Sequence, residues 1–124
     1  MKNLTIIAAA GLLFALPSLG FACEYPERPA LPDGSVAAKE DMIAAQTAVK
    51  EFLAAIDEYL DCIEQEEKDA IAAMDNPDEE TIRRRDELLS KRFDAANEEK
   101  FLFGEQWNQQ VRAYNERKSG QNSD

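Results

Sequence analysis

Asp75-Asn76-Pro77-Asp78-Glu79 separates two long runs of helix-forming residues. Asn76 is a suitable helix cap, Pro77 suits the first helical position, and Glu79 can complete a capping box with Asn76. Acidic side chains just after the cap also interact favourably with the positive end of the helix dipole. The stretch therefore predicts the end of one helix and the start of a second.

The run before this stretch predicts one uninterrupted first helix. From Val36 to Met74 there is no Pro or Gly, and the hydroxyl of Ser35 can cap the first turn. Apolar residues recur in steps of three and four, which places them on one coiled-coil seam. The seam consists of Met42, Ala45, Val49, Phe52, Ile56, Tyr59 and Ile63 and, after a gap at Glu66, of Ala70 and Ala73.

The run after this stretch predicts a second helix from Pro77 to about Lys118. Its basic last turn suits the negative end of the dipole, and Gly120 marks the exit. Gly104 leaves two alternatives, a break into a third helix or a close approach to the first helix at Ala48. Residues 119–124 are polar and are expected to form a disordered tail.

Two helices joined by so short a turn must lie antiparallel, so the predicted fold is all-α, a long two-helix hairpin. Three helices are the alternative if the chain breaks near Gly104. Reflection of the sequence about Asn76 pairs Ala70 with Ile82, Ile63 with Leu89, Tyr59 with Phe93, Ile56 with Ala96, Val49 with Phe103 and Ala45 with Trp107. The same reflection sets Glu66-Glu67-Lys68 opposite Arg83-Arg84-Arg85. Exposed ion pairs there, of about 0 to 1 kcal/mol each, would fix the alignment.

The first 22 residues have the layout of a secretory signal peptide. Lys2 precedes an apolar run from Ile6 to Leu16, and small residues before Cys23 predict cleavage after Ala22. The run is shorter than the roughly 20 residues that span a bilayer, so no stable membrane insertion is expected. The predicted location is the periplasm, and the alternative is a lipoprotein acylated at Cys23.

Residues 23–35, called the leader below, are rich in proline and are expected to be extended. A leader running back from Ser35 to Cys23 spans about 37 Å at the polyproline rise of about 3.1 Å. The helix from Ser35 to Cys62 spans about 40 Å. These lengths agree and predict a disulfide between Cys23 and Cys62, as expected for two cysteines in an oxidising compartment.

The first helix carries a stripe of small residues that recurs every seven positions, at Ala48, Ala55 and Cys62. The leader is expected to lie along this stripe and to bury Tyr25, Pro26, Pro29 and Leu31 there. Arg28 is expected to lie near Glu51 or Glu58. The bridge would close a loop of about 40 residues. In the chain-entropy model such a bridge raises the free energy of unfolding by about 4 kcal/mol.

The chain is strongly acidic and contains no histidine. Its 14 basic and 25 acidic side chains give a net charge of −11, which becomes −12 when Lys2 is removed with the signal peptide. Such a charge argues against binding to nucleic acid or anionic lipid. Without histidine, and with two cysteines far apart in sequence, no catalytic, cofactor or metal site is predicted, and an enzyme is not expected.

An acidic run on the first helix leaves one alternative function open. Its carboxylates have helical i, i+3 and i+4 spacing and belong to Asp57, Glu58, Asp61, Glu64, Glu66, Glu67 and Asp69. A divalent cation or a cationic small ligand could bind there. A solvated helix face explains the same pattern without a ligand.

The second helix carries more aromatic side chains than a one-sided seam can bury, namely Phe93, Phe101, Phe103, Trp107 and Tyr114. Core packing of the hairpin explains most of these residues, and the surplus indicates either cover by the leader or self-association into a four-helix bundle. The predicted function is therefore a non-enzymatic periplasmic module for protein interaction, or a chaperone-like one. Its partner would be another envelope protein or a second copy of itself.

Several short motifs between residues 23 and 64 occur together: Cys23, Arg28-Pro29, Pro32-Asp33-Gly34, Met42, Gln46, Val49-Lys50 and Tyr59-Leu60-Asp61-Cys62. In these motifs the chain resembles a family of small exported proteobacterial proteins of unknown function. Nothing comparable is found in the second helix. The resemblance implies export and brings no catalytic residue.

Overall fold

The computed structural model describes residues 23–123, which form two helices, α1 (Lys39–Ala72) and α2 (Glu79–Gln121). The helices fold back on each other as a hairpin, so the predicted all-α architecture is confirmed. The predicted signal peptide, residues 1–22, lies outside the described residues. In residues 23–123, neither helix is apolar enough over a sufficient length to cross a bilayer.

The first helix begins at Lys39, later than predicted, and Ser35 does not cap it. The chain turns at residues 34–36, where Asp33 accepts hydrogen bonds from the backbone N–H and the hydroxyl of Ser35, at 2.9 and 2.6 Å. Ala38 occupies the N-cap position without a side-chain hydrogen bond. The expected cap at Ser35 is wrong because the chain first makes a turn, in which the backbone N–H groups of Val36 and Ala37 donate to the carbonyl oxygen of Asp33, and α1 begins only four residues after Ser35.

The start of the second helix also differs from the prediction. Asp78, not Asn76, is the N-cap of α2, and its carboxylate accepts the backbone N–H of Thr81 at 2.7 Å. Asn76 instead has a φ of 48°, in the left-handed region that asparagine tolerates. Asn76 and Asp78 are both residue types that favour the N-cap position. Pro77 lies between them and is outside the helix, not in its first position as predicted.

The second helix runs through Gly104 without a break, so the three-helix alternative is wrong. A Cβ atom at Gly104 would meet nothing within 4 Å, and the close approach to α1 is therefore not found there either. The helix continues to Gln121. Residues 119–121 are thus helical, although the sequence placed them in a disordered tail.

The core lies between the two helices and under the leader. Its α1 members include Val49, Ile56 and Ile63, and its α2 members include Ala96 and Phe103. These residues belong to the predicted facing pairs. Ile56 and Ile63 are fully buried, and Phe103 is 1% exposed, so a single apolar seam holds the hairpin together.

The predicted alignment holds near the turn and shifts away from it. Glu67 and Arg85, which the reflection sets opposite each other, form an ion pair of 2.6 Å. Farther from the turn, the ring of Phe103 contacts Phe52, with centroids 4.8 Å apart, where reflection predicted Val49.

Candidate functional site

A disulfide joins Cys23 to Cys62, as predicted, with the two Cα atoms 5.8 Å apart. Residues 23–123 contain no free cysteine. Beside the bridge, the backbone nitrogen of Cys23 lies 3.4 Å from Oε2 of Glu66. A disulfide fits an exported protein, because such bonds persist in oxidising compartments.

From Cys23 the extended leader follows α1 in the predicted direction. Pro26 and Pro29 line a shallow depression together with Ala48 and Ala55, two members of the predicted stripe. Leu31 packs against the core. The expected docking of the leader on the small residues of α1 is confirmed at these positions.

The expected burial of Tyr25 is wrong, because its side chain is 45% exposed. Its ring meets the ring of Tyr59 edge to face, with centroids 4.9 Å apart. Burial raises the pKa of the Tyr25 hydroxyl, and the negative charge of Glu99 raises it further.

The leader also contacts α2, mainly through Arg28. The guanidinium of Arg28 pairs with Oε1 of Glu99 at 3.1 Å and donates to the side-chain oxygen of Gln106. It also lies over the ring of Phe103, 4.9 Å from the centroid. The leader thus covers Phe103, one of the surplus aromatic residues of α2.

The expected position of Arg28 beside Glu51 or Glu58 of α1 is wrong. The leader lies over the groove between the helices, so its basic side chain reaches α2. The spacing of the two α2 partners of Arg28 is visible in the sequence. Glu99 and Gln106 are seven residues apart and therefore lie on one edge of α2.

The end of the leader is held by the last part of α2. The backbone N–H of Gly34 donates to Oε1 of Gln110 at 2.9 Å. The guanidinium of Arg117 donates to the carbonyl oxygens of Ser35 and Ala37, at 3.3 and 2.6 Å. The two ends of the leader are thus fixed by different helices, the disulfide on α1 and these hydrogen bonds on α2.

Most carboxylates of the acidic run already have partners. Asp57 pairs with Lys100, Glu64 with Lys68 and Glu67 with Arg85, while Asp69 accepts from Gln65 and Glu66 faces the nitrogen of Cys23. Across residues 23–123, no three Asp, Glu or Cys side chains come together as a metal-binding group would require. Cation binding at this face stays a prediction.

The aromatic residues of α2 divide into covered and uncovered ones. Phe103 is buried, and Phe93, Trp107 and Tyr114 are half-buried. Phe101 and Leu102 are 67% and 46% exposed. Consecutive helix residues point about 100° apart, so Phe101, Leu102 and Phe103 span more than one face of α2.

The groove that holds the leader continues beyond Cys23 as an open cleft of about 520 Å³. We call it the turn-proximal cleft, and it is lined by Glu66 and Glu67 of α1 and by Arg85, Leu88, Leu89, Lys91, Arg92 and Ala95 of α2. Arg85 binds Glu67 through two nitrogen atoms, at 2.6 and 2.9 Å. Arg92 donates to the hydroxyl of Tyr59 at 3.3 and 3.2 Å.

Comparisons of the chain with protein-family models, with curated proteins and with solved structures find no match. The resemblance to small exported proteins therefore stays a prediction. The leader groove, the turn-proximal cleft and the exposed apolar residues of α2 are the features on which a function can be proposed.

Proposed function

We propose that this protein is an exported, non-enzymatic interaction module of the periplasm, whose hairpin presents apolar side chains to another envelope protein. The proposal rests on the exposure of Phe101 and Leu102, whose side chains are 67% and 46% exposed. The next residue, Phe103, is only 1% exposed. We take these exposed apolar side chains, which neighbour each other on a largely polar helix surface, as the contact surface for another protein.

The anchored leader suits the hairpin to such a role. One end of the leader is tied covalently to α1 through Cys62, and the other is hydrogen-bonded to Gln110 and Arg117 of α2. This arrangement connects α2 to α1 through the leader. A surface ordered before binding loses less conformational entropy when a partner docks.

Export is supported by two independent features of the chain. Residues 1–22 have the composition of a signal peptide, and cleavage after Ala22 would make Cys23 the first residue of the mature protein. The disulfide of Cys23 fits an oxidising compartment and leaves its sulfur without a thiol for acylation. The motifs in which the chain resembles small exported proteins agree with both features.

Site-specific photocrosslinking in the cell envelope tests the interaction. A photoreactive benzoylphenylalanine at Phe101 should give adducts with one or a few envelope proteins. The same group at Lys50, which is exposed on α1, should give none. The purified partner should bind the Phe101→Glu variant about tenfold more weakly than the parent protein. Absence of adducts from both Phe101 and Leu102 would count against the proposal.

A further inference from the structure

The leader shows how the groove between α1 and α2 accommodates an extended chain. On α2, Arg28 contacts Glu99, and Arg92 lies seven residues earlier, on the same edge of the helix. On α1, Glu66 lies one turn beyond Cys62, the residue that ends the path of the leader. The turn-proximal cleft therefore continues the groove that the leader already fills.

The open part of the groove has room for a short extended peptide. From Cys62 to the end of α1 at Ala72 the helix rises about 15 Å, which an extended chain covers in about four or five residues. Leu89 packs against the core, and its neighbour Leu88 is 57% exposed. These leucines give the cleft an apolar wall that can contact one or two side chains of a ligand.

The cleft carries unpaired positive charge, although the chain has a net charge of −11. Arg85 is neutralised by Glu67. Within residues 23–123, neither Lys91 nor Arg92 forms an ion pair. Two cations beside an exposed leucine favour a ligand that carries both a carboxylate and an apolar group.

The remaining carboxylate of the cleft is Glu66, which faces the nitrogen of Cys23 at 3.4 Å. Cleavage after Ala22 would turn this nitrogen into an ammonium group and pair it with Glu66. Removal of the signal peptide thus leaves the positive charges of Lys91 and Arg92 uncompensated.

We infer that the turn-proximal cleft binds an extended, acidic polypeptide segment of a partner, placed end to end with the leader. The inference rests on the proposed interaction function and adds a second contact surface, the cleft, and the chemistry of the segment that binds there. The apolar side chains of the segment would contact Leu88 and Leu89, and its carboxylates would pair with Lys91 and Arg92.

Two synthetic probes test this specificity. Ac-Glu-Leu-Pro-Glu-Leu-amide and Ac-Lys-Leu-Pro-Lys-Leu-amide share their apolar residues and differ only in charge. Each is titrated into the oxidised exported protein while the backbone amide signals are followed by NMR. The acidic peptide should give saturable shifts at Leu88, Lys91 and Arg92, and the basic peptide should bind at least about tenfold more weakly.

Matched variants locate the binding. Lys91→Glu should weaken binding of the acidic peptide at least about fivefold, and Leu88→Ser should weaken it by a similar factor. Lys50→Glu makes the same change of charge on an exposed residue of α1 and should alter binding by less than about twofold.

Three results would overturn the inference. The first is no saturable shift with the acidic peptide at millimolar concentration. The second is equal binding of both peptides, or an equal loss in Lys50→Glu and Lys91→Glu. The third is a concentration-dependent shift of Leu88 without peptide, which would assign the cleft to a second copy of the chain. A partner crosslinked through Phe101 would leave the proposed function standing in each case.

Discussion

Gly34 packs against the backbone of α2, whereas Gly104 within α2 faces open space. A Cβ atom at Gly34 would overlap the carbonyl oxygen of Gln110 and lie 2.8 Å from its carbonyl carbon. Gly104 stands out in the sequence because glycine is unfavourable in the interior of a helix. The sequence could not point to Gly34, since close contact between segments distant in sequence leaves no local pattern.

Alanine substitutions at these two glycines should have opposite effects. Gly34→Ala should lower the free energy of unfolding by about 1 to 3 kcal/mol, because the leader must move away from Gln110. Gly104→Ala should raise it by about 0.5 to 1 kcal/mol, because alanine favours the helix and has space. Urea denaturation of the oxidised proteins measures both changes. A Gly34→Ala variant as stable as the parent would contradict the close contact.

Asp33 and Asp78 should make stability depend on acid pH. Hydrogen bonds from Ser35 hold the pKa of Asp33 below its usual value of 3.8, and Arg117 lowers it further. Hydrogen bonds from Thr81 lower the pKa of Asp78 in the same way. A carboxyl with a lowered folded pKa stabilises the fold above its unfolded pKa, and this stability is lost as pH falls through the folded pKa.

The measurement is the urea midpoint of the parent and of Asp33→Asn and Asp78→Asn between about pH 5 and pH 2. Asparagine keeps a hydrogen-bond acceptor but does not titrate, so each variant should lose less stability than the parent over this range. An identical acid dependence in all three proteins would show that neither carboxylate contributes.

The two helices, their antiparallel packing and the Glu67–Arg85 ion pair could all be predicted from the sequence. The register away from the turn could not be predicted by simple reflection. Asp57 pairs with Lys100, five positions from its reflected partner, Ala95. Helical side chains point back toward the N-terminus of their own helix, so in an antiparallel pair the side chains that touch are offset from the residues whose backbones lie opposite.

The contact of the leader with α2 can be tested through Arg28. Arg28→Ala should lower the free energy of unfolding by about 1 to 2 kcal/mol, because it removes an exposed ion pair and a contact with the Phe103 ring. Glu99→Gln should cost at most about 1 kcal/mol. Glu51→Gln, at the partner expected from sequence, should have no effect on the thermal midpoint. A larger effect from Glu51→Gln than from Glu99→Gln would place the leader differently.

At the scale of the whole molecule, the disulfide should supply a large share of stability, because the hairpin has only one thin seam. Replacing both Cys23 and Cys62 with serine should lower the free energy of unfolding by about 4 kcal/mol, the value expected for a loop of about 40 residues. Denaturant titration of the parent and the double variant measures the difference.

Alkylation of the purified exported protein provides the chemical control. Neither cysteine should react before a reductant is added, because residues 23–123 contain no free thiol. Two rapidly reacting thiols in the unreduced protein would contradict the bridge and the position of the leader.

The attachment of the two ends of the leader to different helices predicts an order of events during folding. If the chain is exported N-terminus first, Cys23 and Cys62 reach the oxidising compartment before Glu99, Gln110 and Arg117 do. Oxidation can therefore tether the leader to a nascent first helix, and the late-arriving second helix then closes over it. A chain that ended after α1 would still contain the covalent loop closed by Cys23 and Cys62. It would lack every contact that α2 makes with the leader.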